Sequence, residues 1–167
     1  VAGVQTVVVA GATSYQAAPS EFNILVQGAQ PGSDLNAAMD RATAATADTP
    51  GPDVLYVGGM AVGNESWNDT PPAAGNWYHR LPLPWYTEAA GLTVTSARDP
   101  QTVGSDAPPV VITTPEHRDT LSDRLTNYQV HEQALLLRGE NRTLSVLGFE
   151  KRYQGRTVLL FVRSGSR

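Results

Sequence analysis

The chain has 167 residues with 41% hydrophobic content, which is enough for one domain with its own core and too few for two full domains. Its net charge is -4 and its basic residues form no run, which excludes a nucleic-acid track and a polybasic membrane patch. Cysteine is absent, so disulfides, thiolate nucleophiles and cysteine-based zinc sites are excluded. Because the chain is acidic and has no basic run, no nucleic-acid partner is expected.

The apolar run Val1–Ala12 is interrupted by Gln5 and Thr6 and is far shorter than the ~20 residues of a membrane-spanning helix. It is typical either of the outer end of a membrane helix or of a first β-strand. The chain lacks an initiating Met and a basic leader, so we expect it to begin in mid-protein. We interpret residues 1–21 as the end of a membrane anchor or a linker and residues 22–167 as a single extracytoplasmic α/β domain.

Helical spacing of small apolar residues begins after Ser33, which is a favourable N-cap residue. Two unbroken apolar runs, Val54–Val57 and Val110–Thr113, predict central strands that are buried on both faces. Thr114-Pro-Glu116 predicts the start of a helix. Further strands are predicted at Leu92–Thr95, Tyr128–Leu137 and Thr157–Val162, whereas Thr143–Tyr153 fits a strand or a helix.

This alternation of helix and apolar strand predicts an α/β fold. We expect a small, mostly parallel sheet with helices on its faces, a Rossmann-like three-layer sandwich, and antiparallel C-terminal edge strands.

Asn76–Gly91, the aromatic segment, holds two Trp, two Tyr and two Pro in sixteen residues of an otherwise aromatic-poor chain. Its prolines forbid a helix through Leu81–Leu83, but Pro84 can open a short helix that Gly91 closes as a left-handed cap. The aromatic side chains either fill a seam in the core or present flat faces to a glycan or lipid headgroup. The candidate ligand-binding residues are Trp77, Tyr78, Trp85 and Tyr86.

Three Asn-X-Ser/Thr sequons, at Asn64, Asn68 and Asn141, are candidate glycosylation sites. They also arise by chance in a Thr-rich chain. The first two lie in a polar stretch of the kind that a glycosylated surface protein exposes.

Patterns of catalytic chemistry are absent from the sequence. Gly58–Gly63 lacks the spacing of a nucleotide fingerprint and is followed by a predicted loop, not by the helix that would attract phosphate. The histidines, His79, His117 and His131, have no metalloprotease spacing, and no serine follows the nucleophile-elbow pattern. We predict no catalytic residue, no metal and no cofactor in this chain.

Leu81-Pro-Leu-Pro-Trp-Tyr86 resembles the Trp-Pro-Leu-Pro-Trp-Tyr-Leu-Arg signature of a prokaryotic family of multi-spanning membrane proteins. Val26–Pro31, Ala107–Ile112, Tyr128 and Leu135–Arg138 are similar to further stretches of that family, in the same order. The family is related to the dolichyl-phosphate-mannose protein mannosyltransferases of the GT-C superfamily, and its members are often labelled flippase-activity-associated proteins of archaeal N-glycosylation. The chain departs from its pattern at Thr87-Glu88, which replace Leu-Arg.

The resemblance implies a non-catalytic, extracytoplasmic accessory domain of a polyprenyl-phosphate-sugar-dependent glycosyltransferase-like membrane protein. Eleven of the twelve basic residues are Arg, a bias typical of a GC-rich genome or of a halophile. The implied partners are the protein's own transmembrane region and a glycan or lipid-linked sugar.

The alternative is a free-standing α/β enzyme or small-molecule-binding domain. Its site would lie at the C-terminal ends of the parallel strands, near Gly58–Gly63 and Thr113–His117.

Overall fold

The computed structural model describes residues 34–46, 49–62, 75–136, 143–146, 149–152 and 156–164. Within these ranges the helices are α1 (Leu35–Thr46), α2 (Leu83–Ala89) and α3 (Arg118–Arg124). The strands are β1 (Val54–Val57), β2 (Val94–Ala97), β3 (Val110–Thr113), β4 (Tyr128–Leu136), β5 (Thr143–Val146), β6 (Phe149–Arg152) and β7 (Arg156–Arg163). Short 3₁₀ helices lie at Gly58–Met60, Gly75–Arg80, Pro100–Thr102 and Pro115–His117.

Five strands form a mixed sheet in the order β2-β1-β3-β7-β4. β1 pairs in parallel with β2 and with β3, so that Val54 lies opposite Val94 on one side and Val110 on the other. β7 pairs antiparallel with both β3 and β4, and Phe161 lies between Val111 and Val130. β5 and β6 form a separate antiparallel pair, which assigns most of the undecided stretch Thr143–Tyr153 to strands.

The predicted fold class is wrong. The sheet is not mostly parallel, because two of its four strand pairings are antiparallel. β7 is not an edge strand, since it lies between β3 and β4. The described helices are also few, and two of the three have only seven residues, so they do not form the two helical layers of a Rossmann-like sandwich.

Both faces of the sheet are buried, as the unbroken apolar runs predicted. Successive strand residues point to opposite faces, so Val54 and Tyr56 pack into one core cluster while Leu55 and Val57 pack into the other. The first cluster is covered by α1, whose inner residues are Leu35, Ala38, Met39 and Ala42. The second is covered by Leu121 of α3 and the following Leu125. The predicted helix with a small-residue face is thus confirmed.

The amino end of β3 is braced by Tyr128 and Arg163. The Tyr128 hydroxyl donates to the carbonyl oxygen of Ala107 at 2.7 Å, and Arg163 Nε donates to the Tyr128 hydroxyl oxygen at 3.2 Å. Arg163 Nη2 also donates to the Ala107 carbonyl. Ala107 and Tyr128 both belong to the stretches that carry the family resemblance, and the fold brings these stretches into contact.

Candidate functional site

The aromatic segment is attached to the sheet by buried polar contacts at the edge where the parallel strands end. Arg80 is only 3% exposed, and its Nε donates to the carbonyl oxygen of Met60 at 2.7 Å. Its Nη2 donates to Ser96 Oγ in β2 at 2.6 Å, and its Cζ lies 4.0 Å from the centre of the Tyr56 ring in β1. Asn76 Nδ2 donates to the carbonyl oxygen of Ala61 at 3.2 Å. The segment is therefore fixed to both β1 and β2.

The inward face of α2 gives the segment a second attachment. Leu83 is fully buried, Pro84 and Thr87 are also buried, and the Thr87 hydroxyl donates to the Pro84 carbonyl at 3.1 Å. Residues three and four apart lie on one face of a helix, so burial of Leu83 and Thr87 turns Trp85 outward. The helix begins at Leu83 with Pro84 in its first turn, and Gly91 follows it with a φ of +68°, so the predicted first-turn proline and glycine cap are confirmed.

Three neighbouring apolar side chains of the segment are exposed. Trp85 is 76% exposed, Tyr78 is 57% exposed and Leu81 is 37% exposed. In a 3₁₀ helix, residues three apart lie on the same face. Trp77 and Arg80 therefore share the inward face of this turn, whereas Tyr78 and Leu81 share the outward face. We call Tyr78, Leu81 and Trp85 the exposed apolar surface.

The other two candidate aromatics are half-buried. Trp77 meets Tyr78 edge to face, with ring centres 6.2 Å apart and planes at 78°. Tyr86 packs against the core cluster beneath α1, and burial raises the pKa of its hydroxyl. The two alternatives from the sequence thus apply to different residues: Tyr86 contacts the core, whereas Tyr78 and Trp85 present their rings to solvent. Ligand binding by these four residues stays a prediction.

A cation is held at His79, the residue that follows Tyr78 in the chain. Arg156, the first residue of β7, donates through Nη1 to the carbonyl oxygen of His79 at 2.8 Å. Its Nη2 lies 3.0 Å from His79 Nδ1. Both ion pairs given for the described residues involve other side chains, so Arg156 has no carboxylate partner within that part of the chain.

At the ends of β1 and β3, where an enzyme of open-sheet type would bind its ligand, His117 packs against the turn after β1. Gly58 has a φ of +70°, and a Cβ there would lie 2.6 Å from His117 Cδ2. Burial acts to raise the pKa of the neighbouring Glu116 carboxyl. The Thr114 side chain and the Glu116 backbone, together with His117, outweigh burial and hold that pKa below its ordinary value. Glu116 is therefore ionised at neutral pH.

A cavity of about 570 Å³ lies at the opposite ends of the strands, where β1 and β3 begin. The loops before β1, β3 and β4 and the end of β7 line it, with Pro52, Pro108, Asn127 and Arg163 among the lining residues. The predicted enzyme site at Gly58–Gly63 and Thr113–His117 is at the other ends of the strands, so the cavity does not join the loops that the prediction named.

Asn64, Asn68 and Asn141 lie outside the described residues, as does Gly63. Among the residues that the structure describes, no three His, Asp or Glu side chains are grouped to hold a metal ion. Nor does any helix in these ranges have the length and apolar character needed to cross a membrane.

Sequence reasoning missed Arg80, Leu81 and Arg156. Arg80 lies just before the signature stretch, and a lone cation between two aromatic pairs was a signal of an internal anchor. Nothing in the sequence separates Arg156 from the other arginines, because its position beside His79 depends on a contact between residues 77 positions apart.

Comparison with curated proteins and with solved structures gives no match. A family model, the Agl23 flippase-associated protein C-terminal domain, matches residues 35–162. The matched range begins at the first residue of α1 and ends within β7, so it includes all five strands of the main sheet. The chain therefore belongs to the Agl23 flippase-associated protein C-terminal domain family.

Proposed function

We propose that the chain is a non-catalytic, extracytoplasmic accessory domain of a glycosyltransferase-like membrane protein that uses polyprenyl-phosphate sugars in protein N-glycosylation. In this proposal Tyr78 and Trp85 contact a glycan or the sugar of a lipid carrier, while Trp77 and Tyr86 support them from behind. The domain works beside its own transmembrane region. The family's association with a flippase supports a role in a membrane process that handles lipid-linked sugars.

The observation that carries the proposal is the exposure of Trp85 on a firmly attached segment. An indole ring left in water forgoes the free energy that burial would provide, and a buried Arg80 with two hydrogen bonds holds the segment in this arrangement. Flat aromatic rings stack on the apolar faces of sugar rings. The hydroxyl groups at the rim of the sugar ring then stay free to bind water. The segment therefore offers a preformed stacking surface for a glycan.

We expect Trp85→Ala to weaken glycan binding about tenfold, because loss of one stacking ring removes about 1.4 kcal/mol of binding free energy. The measurement is a titration of the 167-residue chain with mannose and glucose oligosaccharides and with a short-chain polyprenyl-phosphate mannose, followed by the backbone amide chemical shifts of the aromatic segment, which every variant retains. Trp85→Phe, which keeps an aromatic face, should retain most of the affinity. A wild-type chain that gives no response at millimolar sugar would argue against the proposal.

The free-standing enzyme or small-molecule-binding domain has less support. His117 lies against Gly58 at the carboxyl ends of the parallel strands, and the cavity that Pro52, Pro108, Asn127 and Arg163 line is at the opposite ends of these strands. Turnover of a small substrate by the isolated chain, abolished by His117→Ala, would favour the enzyme over the accessory domain.

A further inference from the structure

The exposed apolar surface is concentrated in a way that scattered surface residues are not. The structure describes four large apolar side chains as exposed, and three of them are Tyr78, Leu81 and Trp85. The fourth, Val130, lies on β4. Single exposed apolar residues are ordinary, but a group of them on a fixed segment marks an interaction site.

Leu81 helps to identify the occupant of this surface. A glycan would use the flat rings of Tyr78 and Trp85 but gains little from a branched aliphatic side chain. The boundary between lipid headgroups and acyl chains accommodates all three, because Trp and Tyr place an apolar body inward and a polar tip toward water while Leu enters the apolar layer. The mixed composition therefore fits a bilayer surface better than a sugar alone.

The charges around the surface fit the same partner. The Arg156 guanidinium is held at His79, the residue that follows Tyr78, and guanidinium groups pair well with phosphate. Glu88 lies three residues after Trp85 on the outer face of α2, where it offsets part of that attraction. We therefore expect the apolar contacts to contribute more than headgroup charge.

We propose that Tyr78, Leu81 and Trp85 insert into the headgroup region of a lipid bilayer and that Arg156 contacts a lipid phosphate. This contact would turn the carboxyl ends of the parallel strands toward the membrane. The inference rests on the proposed extracytoplasmic function, which it deepens by adding the bilayer as a partner of the same surface.

The test is co-sedimentation of the 167-residue chain with sugar-free vesicles of phosphatidylcholine, and of phosphatidylcholine mixed with phosphatidylglycerol. We expect binding to both. Trp85→Ala should reduce the partition coefficient about tenfold or more, as burial of an aromatic side chain contributes a factor of this size. Leu81→Ala should reduce it by a smaller factor. Val130→Ala is the matched control for Leu81→Ala, because Val130 on β4 is as exposed as Leu81. It should bind like the wild type.

The proposal is overturned if the wild type stays in the supernatant with both kinds of vesicle, or if folded Trp85→Ala binds as tightly as the wild type. It also fails if binding needs phosphatidylglycerol and is lost in Arg156→Gln but not in Trp85→Ala or Leu81→Ala. Circular dichroism of each variant establishes that it is folded. The vesicles carry no sugar, so a failure of vesicle binding and a failure of glycan binding are separate, distinguishable results.

Discussion

Replacing Arg80 with methionine should lower the free energy of unfolding by about 3 kcal/mol or more, since each buried polar group left without its partner costs about 1–3 kcal/mol. Methionine has similar length and fills much of the space, but it cannot donate to the Met60 carbonyl or to Ser96 Oγ. It also removes the cation from the Tyr56 ring. Urea denaturation followed by circular dichroism measures the change.

Arg98→Met is the matched control for this substitution, because Arg98 is exposed at the end of β2. It should change the unfolding free energy by less than about 0.5 kcal/mol. Arg80→Lys should fall between the two, since one ammonium group cannot reproduce a planar guanidinium with several fixed donors. Equal stability of Arg80→Met and Arg98→Met would show that Arg80 does not anchor the aromatic segment.

Gly58→Ala should lower the unfolding free energy by about 2–5 kcal/mol, from about 1–2 kcal/mol for a side chain at positive φ and about 1–3 kcal/mol for overpacking. The φ of Gly58 is +70°, and a Cβ there would overlap the His117 ring. Thermal and urea denaturation measure the effect. The experiment also tests how closely His117 packs against Gly58 at the carboxyl ends of the parallel strands.

Other glycines separate the two costs. Gly51 has a φ of +96° with nothing within 4 Å of a Cβ, so Gly51→Ala should show the backbone cost alone, about 1–2 kcal/mol. Gly59 has neither feature, and Gly59→Ala should be nearly neutral. When His117→Ala is already present, Gly58→Ala should no longer carry the cost of overpacking against the His117 ring. Only the cost of a side chain at positive φ should remain. A Gly58→Ala variant no less stable than Gly51→Ala would contradict the His117 contact.

The sequence predicted individual elements well because their signals are local. The run Val54–Val57 has no charged residue, and the strand it forms is buried on both faces. Tyr128–Leu137 and Thr157–Val162 were likewise recognised as strands, and β4 and β7 occupy these positions. Apolar runs report burial, which is a property of the segment itself.

The arrangement of the strands could not be predicted in the same way, since pairing joins residues far apart in the chain. Val111 pairs with Phe161, and nothing near either residue specifies the other. The prediction placed the C-terminal strands at an edge, although Leu159 and Phe161 belong to a nearly continuous apolar run that is typical of a central strand. That signal was present and was not used to position β7.

The candidate site was found by composition, but its orientation was not. Two Trp and two Tyr in sixteen residues drew attention to the segment, whereas the outward position of Trp85 and the inward position of Tyr86 depend on how α2 packs. The buried anchor at Arg80 depends on a turn 20 residues earlier that supplies the Met60 carbonyl. Periodicity within one helix does not contain that information.

The interior position of β7 makes assembly of the sheet depend on the last of its strands to leave the ribosome. Until Arg156–Arg163 is synthesised, β3 and β4 have no common neighbour, and the β2-β1-β3 half remains with an open edge. Such late, long-range closure is slow and leaves apolar strand edges exposed to aggregation in the meantime. Nascent chains of this domain should therefore need protection by chaperones until translation has passed β7.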